Sequence, residues 1–315
     1  MRITRDPDTQ APVQASETAQ RRRAAPGRSS GLVAMVRRYP VGAFLVWFFT
    51  VGQAIAFVPL IARWTSGVDL PTEPFLFAAT FVGLVLPTIV ITWLTDGQEG
   101  LRALRQRTLN VRVPMRWYAF AVVGVPVIIV ALWAAVSGPP EQTAGSAPWL
   151  VLAATFLLQL VVVFVTFNLW EELAWMGFVQ ARLQQRHGAI RAAVLTGPVF
   201  ALGHISQVLE GSVTTTMVAL LLLVAVCIPF RALQGWVYNR TGSLVPVALV
   251  HAAANATAAG SLAGAGLLDR LYPGDGAGGL VFPILGALGL VAIALTRGRL
   301  GHLPPAALHE IGNRA

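Results

Sequence analysis

Three small polar groupings interrupt otherwise apolar sequence: Glu171-Glu172, His204, and His251 with Asn255. The glutamates follow about twenty mostly apolar residues, Trp149 to Trp170, a run long enough to cross a bilayer. Ionisable groups are costly in hydrocarbon, so there they face a protein interior or a water-filled cavity. Adjacent helical residues point about 100° apart, so only one glutamate aims squarely into a shared site. A buried carboxylate beside a like charge suits general base or acid work. The competing reading of this pair is a helix end exposed at the membrane interface, because Trp149 to Trp170 alone could span. Phe200 lies one turn before His204, shares its face and can wall the site. His204 could otherwise be a hydrogen-bonded packing residue. His251 and Asn255 are also one turn apart and offer two donors to a developing oxyanion. Their other reading is a polar pair gluing helices together among Ala252, Ala253, Ala254 and Ala256. A base together with an oxyanion site is what amide hydrolysis by water requires.

These residues need helices to position them. The chain has 315 residues, of which 55% are hydrophobic and 12% charged, with a mean hydropathy of +0.65. Repeated apolar runs of about 20 residues predict an all-α, polytopic helical membrane protein, not a transmembrane barrel with its alternating pattern. The runs fall at about 41–62, 75–95, 117–137, 149–170, 192–209, 214–230, 244–261 and 279–296. The net charge is +9 and all 23 basic residues are arginines. They cluster in alternate connections: the tail with Arg21-Arg22-Arg23, then 97–116, 182–191, 231–240 and the C-terminus. The opposite connections carry only Arg63 and Arg270. By the positive-inside rule this pattern predicts about eight transmembrane helices with both termini cytoplasmic. It argues against nucleic acid as a partner, which would need a basic face with base-stacking aromatics. The single cysteine, Cys227, excludes a disulfide framework and a cysteine metal cluster.

The expected organisation is a disordered basic cytoplasmic tail over 1–38, a transmembrane domain over 39–300 and a short cytoplasmic tail over 301–315. Leu101, Leu104 and Leu109 alternate with arginines, which suits a short interfacial amphipathic helix. At 1.5 Å per residue, Glu171 sits about 16 Å from Arg182, His204 about 20 Å from Arg191 and His251 about 10–16 Å from Arg240. All three then fall in one layer, reached from the cytoplasmic side.

Taken together, Glu171-Glu172, Phe200 to His204 and His251 to Asn255 resemble the CPBP family over roughly 115–260. That family of membrane proteases includes the type II CAAX prenyl endopeptidases and bacteriocin-processing or immunity proteins. Its pattern is EExxxR, then FxxxH, then HxxxN or HxxxD, and Trp175 and Gly177-Phe178 also fit its first motif. The resemblance implies an intramembrane endopeptidase that cleaves a peptide near the cytoplasmic side of the membrane. Glu171 would activate water with help from His204, His251 and Asn255 would hold the oxyanion, and Glu172 would support the site. A metal-independent glutamate mechanism is favoured and needs no cofactor. The alternative is zinc held by Glu171, His204 and His251, although their spacing is not HExxH.

The arginine of EExxxR is Met176 here. Glu172 then needs another partner, such as Arg231, or a proton, and Met176→Arg is expected to leave the fold intact. The departure keeps open a catalytically impaired protein of the same fold acting in immunity or scaffolding. A proton-coupled transporter using Glu171, His204 and His251 as a relay is a third reading, but the sequence has no internal repeat to support it. The expected partners are the lipid bilayer and a peptide or protein substrate, lipidated if the CAAX resemblance extends that far. The expected location is a bacterial plasma membrane, since arginine without lysine suggests a high-GC bacterial source.

Overall fold

The computed structural model describes residues 31–140, 149–209, 212–258, 264–274 and 281–301, and their regular structure is helical. Helix α1 (Gly31–Arg38) meets α2 (Pro40–Ala56) at a bend of 105°. Pro40, at the first position of α2, lacks the N–H that a continuous helix would need there. Next come α3 (Val58–Ser66), α4 (Glu73–Leu109), α5 (Met115–Ser137), α6 (Trp149–His187), α7 (Ala189–Leu202) and the single turn α8 (Ile205–Val208). The chain continues through α9 (Val213–Thr241), α10 (Leu244–Ala258), α11 (Leu267–Leu271) and α12 (Val281–Thr296).

Helices α4, α5, α6 and α9 are long and apolar enough to cross a membrane, and α1 with α2 could make one more span as a bent pair. Helices α7, α10 and α12 are apolar but shorter. Large apolar side chains stand exposed along the long helices, among them Val123 and Val127 on α5, Leu157 and Val161 on α6, and Leu221 and Leu222 on α9. In water such a surface would aggregate; it is the outer face of a multi-pass membrane protein.

Several expectations are corrected at this level. Residues 31–38, expected as part of the disordered tail, form α1, and Arg37 Nε donates to the Leu94 carbonyl at 2.9 Å. Arg21-Arg22-Arg23 and the tail beyond Gly301 lie outside the described residues. The run ending at Trp170 does not end a helix: α6 continues to His187, so the glutamate pair lies in mid-helix and not at an exposed end. Arg231, expected near a helix end, is also in mid-helix on α9 and fully buried. The run containing His204 breaks, because α7 ends at Leu202 and His204 sits in the turn before α8. Helix α4 extends to Leu109 through one non-helical residue, Gly97, at φ 65° and ψ −155°. That backbone is open to glycine and costly for other residues.

Helix α9 packs between α7 and α12 at two glycines. A Cβ added to Gly197 on α7 would lie 2.6 Å from Ile228 Cα, and one added to Gly289 on α12 would overlap the Pro229 carbonyl. Small residues at such crossings let helix backbones approach closely. We expect Gly289→Ala to cost about 1–3 kcal/mol, the range for overpacking a close contact. A lowered midpoint of thermal unfolding in detergent would show it, and an unchanged midpoint would refute the close packing.

Candidate active site

Glu171 and Glu172 lie on an α-helical turn, Leu169–Ala174, between two wider π-helical segments of α6, Phe164–Asn168 and Trp175–Gln180. Such local widening is frequent at functional positions because it re-aims side chains relative to a regular helix. The two carboxylates have different surroundings. The Glu172 side chain is fully buried, whereas that of Glu171 is 19% exposed.

Arg231 Nη1 on α9 donates to both oxygens of Glu172 at 2.9 Å. Arg231 Nε donates to Gln180 Oε1 at 2.9 Å, and the Gln180 amide returns a bond to the Arg231 carbonyl at 2.9 Å. Gln234, one turn beyond Arg231, donates to Glu172 Oε1 at 3.4 Å. Two charges withdrawn from water are tolerable when paired and hydrogen-bonded in this way. Arg231 Nη2 also lies 3.8 Å from Met176 Sδ. A guanidinium from another helix thus packs against the residue that stands in the place of the motif arginine. Arg231 is the partner Glu172 lacks on its own helix.

His251 on α10 places Nδ1 3.0 Å from Glu172 Oε1 and 3.8 Å from Glu171 Oε2. Asn168 Nδ2 donates to Glu171 Oε2 at 3.3 Å, and Asn255 Nδ2 donates to Asn168 Oδ1 at 3.4 Å. Arg231, Glu172, His251, Glu171, Asn168 and Asn255 therefore form one continuous polar chain across α9, α10 and α6. Because a carboxylate only accepts, the proton on His251 is assigned to Nδ1. His204 is held differently. Its Nδ1 lies 2.9 Å from the Phe200 carbonyl, an acceptor at the frayed end of α7, so this ring too carries its proton on Nδ1 and presents Nε2 as an acceptor. The Phe200 ring packs 4.7 Å from His204 and 5.9 Å from His251, centroid to centroid, between the two imidazoles.

Glu171 and His204 line one cavity of about 120 Å³, together with Gln53, Thr80, Phe167 and Trp175 among others. His251 and Asn255 are not in its lining; they reach it through Glu171 and Asn168. On α4 the lining runs from Leu76 to Leu84, N-terminal to Asp96, which forms an ion pair with Arg182. On α4 the cavity thus lies in the half of the helix away from the arginine-rich segment. Phe44, Phe48, Trp175, Phe178 and Phe200 fill the layer between, with Trp175 meeting Phe44, Phe48 and Phe200 edge-on at 5.8, 5.1 and 5.7 Å. Arg182 caps that layer, 4.0 Å above the Phe178 ring.

Asn168, Gln180, Gln234 and Gln53 were not singled out from the sequence. Their signal is a polar residue within an apolar helix, three residues from a glutamate for Asn168 and three from an arginine for Gln234. Among the described residues no group of three or more His, Cys, Asp or Glu side chains is placed to hold a metal ion. His251 and His204 engage Glu172 and the Phe200 carbonyl through Nδ1, which leaves Nε2 as the ring nitrogen open to a ligand in each.

The family model for type II CAAX prenyl endopeptidase Rce1-like proteins matches residues 153–257. Over this third of its length the chain is similar to that family. The Rce1-like stretch runs from α6 to the end of α10 and contains the whole polar chain, including Arg231 and the methionine at the motif's arginine position. No curated protein and no solved structure matches the chain. The helices that complete the cavity from the other side, α2 and α4, lie outside the Rce1-like match.

Proposed function

We propose that the chain is an intramembrane endopeptidase, in which Glu171 removes a proton from water that attacks a peptide carbonyl. The observation that carries this reading is the difference between the two glutamates. Glu172 is consumed by Arg231, while Glu171 faces the cavity shared with His204. A base must reach solvent or substrate, and only Glu171 does. His204 Nε2 accepts the water's second hydrogen bond and orients it. Neither His251 nor Asn255 lines the cavity, so an oxyanion held there draws on the remaining N–H of Asn255 only if the peptide passes beyond Asn168. The proton held by Glu171 then passes to the leaving amine, so the step balances without a covalent intermediate.

The membrane-protease family match agrees with this chemistry, and a peptide substrate follows from it. The scaffold reading rested on the missing motif arginine, and Arg231 supplies that charge. In liposomes containing the full chain, a library of internally quenched peptides should be hydrolysed, and His204→Ala should slow the hydrolysis by about 10²-fold or more. An inactive wild-type protein, or a His204→Ala variant of full activity, would overturn the mechanism.

A further inference from the structure

Gln53 on α2 is more than nine-tenths buried, with 7% exposure, and lines the cavity beside Glu171 and His204. Its Nε2 donates to the Gly203 carbonyl at 3.0 Å. That carbonyl can only accept, so the bond fixes which end of the amide faces α7 and leaves Oε1 turned away from it. Gln53 Oε1 is buried and has no hydrogen-bond partner among the described residues. Other buried side-chain atoms share that condition, including Thr88 Oγ1, Thr196 Oγ1 and Gln234 Oε1, but none of them lines this cavity. A buried acceptor without a donor is costly, so an acceptor held in this way needs a donor from outside the fold.

We propose that Gln53 Oε1 is the anchor for a backbone N–H of the bound peptide. The anchor rests on the endopeptidase reading and deepens it. The donor required is neutral and belongs to every peptide residue except proline. Gly203 immediately precedes His204, so the same short turn fixes both the anchor and the imidazole that orients the water. A peptide held at Gln53 is therefore held in register with Glu171. The anchor demands an extended segment, because a helical peptide has already committed its N–H groups.

The test uses a quenched peptide that the wild-type protein cleaves in liposomes, and a series in which each amide flanking the scissile bond is replaced in turn by an ester. An ester lacks the N–H and keeps the shape. One ester position should raise KM about tenfold with kcat little changed, the loss expected for one hydrogen bond. Gln53→Leu should raise KM for the all-amide peptide by a similar factor and no longer distinguish the ester at that position. If no ester raises KM, or if Gln53→Leu discriminates as the wild type does, the anchor is wrong and water alone satisfies Gln53. The ester series on wild-type protein decides the matter even if the variant does not fold. A wild-type protein that cleaves no peptide of the library overturns the endopeptidase reading and the anchor with it.

Discussion

Arg231→Met should abolish cleavage and cost about 3–5 kcal/mol of stability, the penalty for leaving a buried charge without its partner. The substitution removes both Nη1 bonds to Glu172 and the Nε bond to Gln180, within a region closed to water. Glu172 would then have to take a proton or draw on His251, and either change disturbs the ring that touches Glu171. Met176→Arg alone should also be harmful, contrary to the expectation from sequence. Met176 is fully buried, and Arg231 Nη2 already sits 3.8 Å from its sulfur, so a second guanidinium would crowd the first with one carboxylate between them. The exchange of both residues, Met176→Arg with Arg231→Met, moves the charge one helical turn from Glu172 on the same helix. It should recover much of the stability and activity lost in the single variants. Thermal unfolding in detergent and peptide cleavage in liposomes measure the two losses separately. A double variant no better than the worse single one would show that Arg231 does more than supply charge.

Glu171→Gln should lower kcat by about 10³–10⁴-fold, the upper range for removing a general base, while leaving thermal unfolding nearly unchanged. The amide keeps the shape of the carboxylate, and the residue's bond to Asn168 is long, at 3.3 Å. Glu172→Gln should behave differently. It leaves the buried guanidinium of Arg231 without a counter-charge, so the fold suffers together with the activity. Two neighbouring carboxylates that separate into one kinetic and one structural phenotype would support the division of roles. A large loss of stability in Glu171→Gln, or wild-type activity in that variant, would refute it.

The helical membrane class was legible because burial in lipid forces long apolar runs, and such runs are visible residue by residue. The His251 to Asn255 spacing was also legible, since one helical turn is a local relation. The partner of Glu172 was harder to identify, because Arg231 lies 59 residues away on another helix. Sequence could offer Arg231 only as one option, and it misplaced that residue at a helix end. Gln53 is 150 residues from Gly203, and nothing in its neighbourhood marks it apart from being a glutamine in an apolar helix. Arginine spacing reports depth along each helix but not which side chains fill the layer between the cavity and Arg182. Five aromatic residues from α2, α6 and α7 fill it, and their packing is a tertiary fact.

Gly197 and Gly289 clasp α9 from both sides, so α7, α9 and α12 form one closely packed wall that joins the turn bearing His204 to the helix bearing Arg231. On the opposite wall, a Cβ added to Gly83 would lie 2.6 Å from Gly52 Cα, which ties α2 to α4. The cavity lies between the two walls, and the Gln53 to Gly203 hydrogen bond ties one to the other, so a peptide anchored at Gln53 would sit where the two walls are joined.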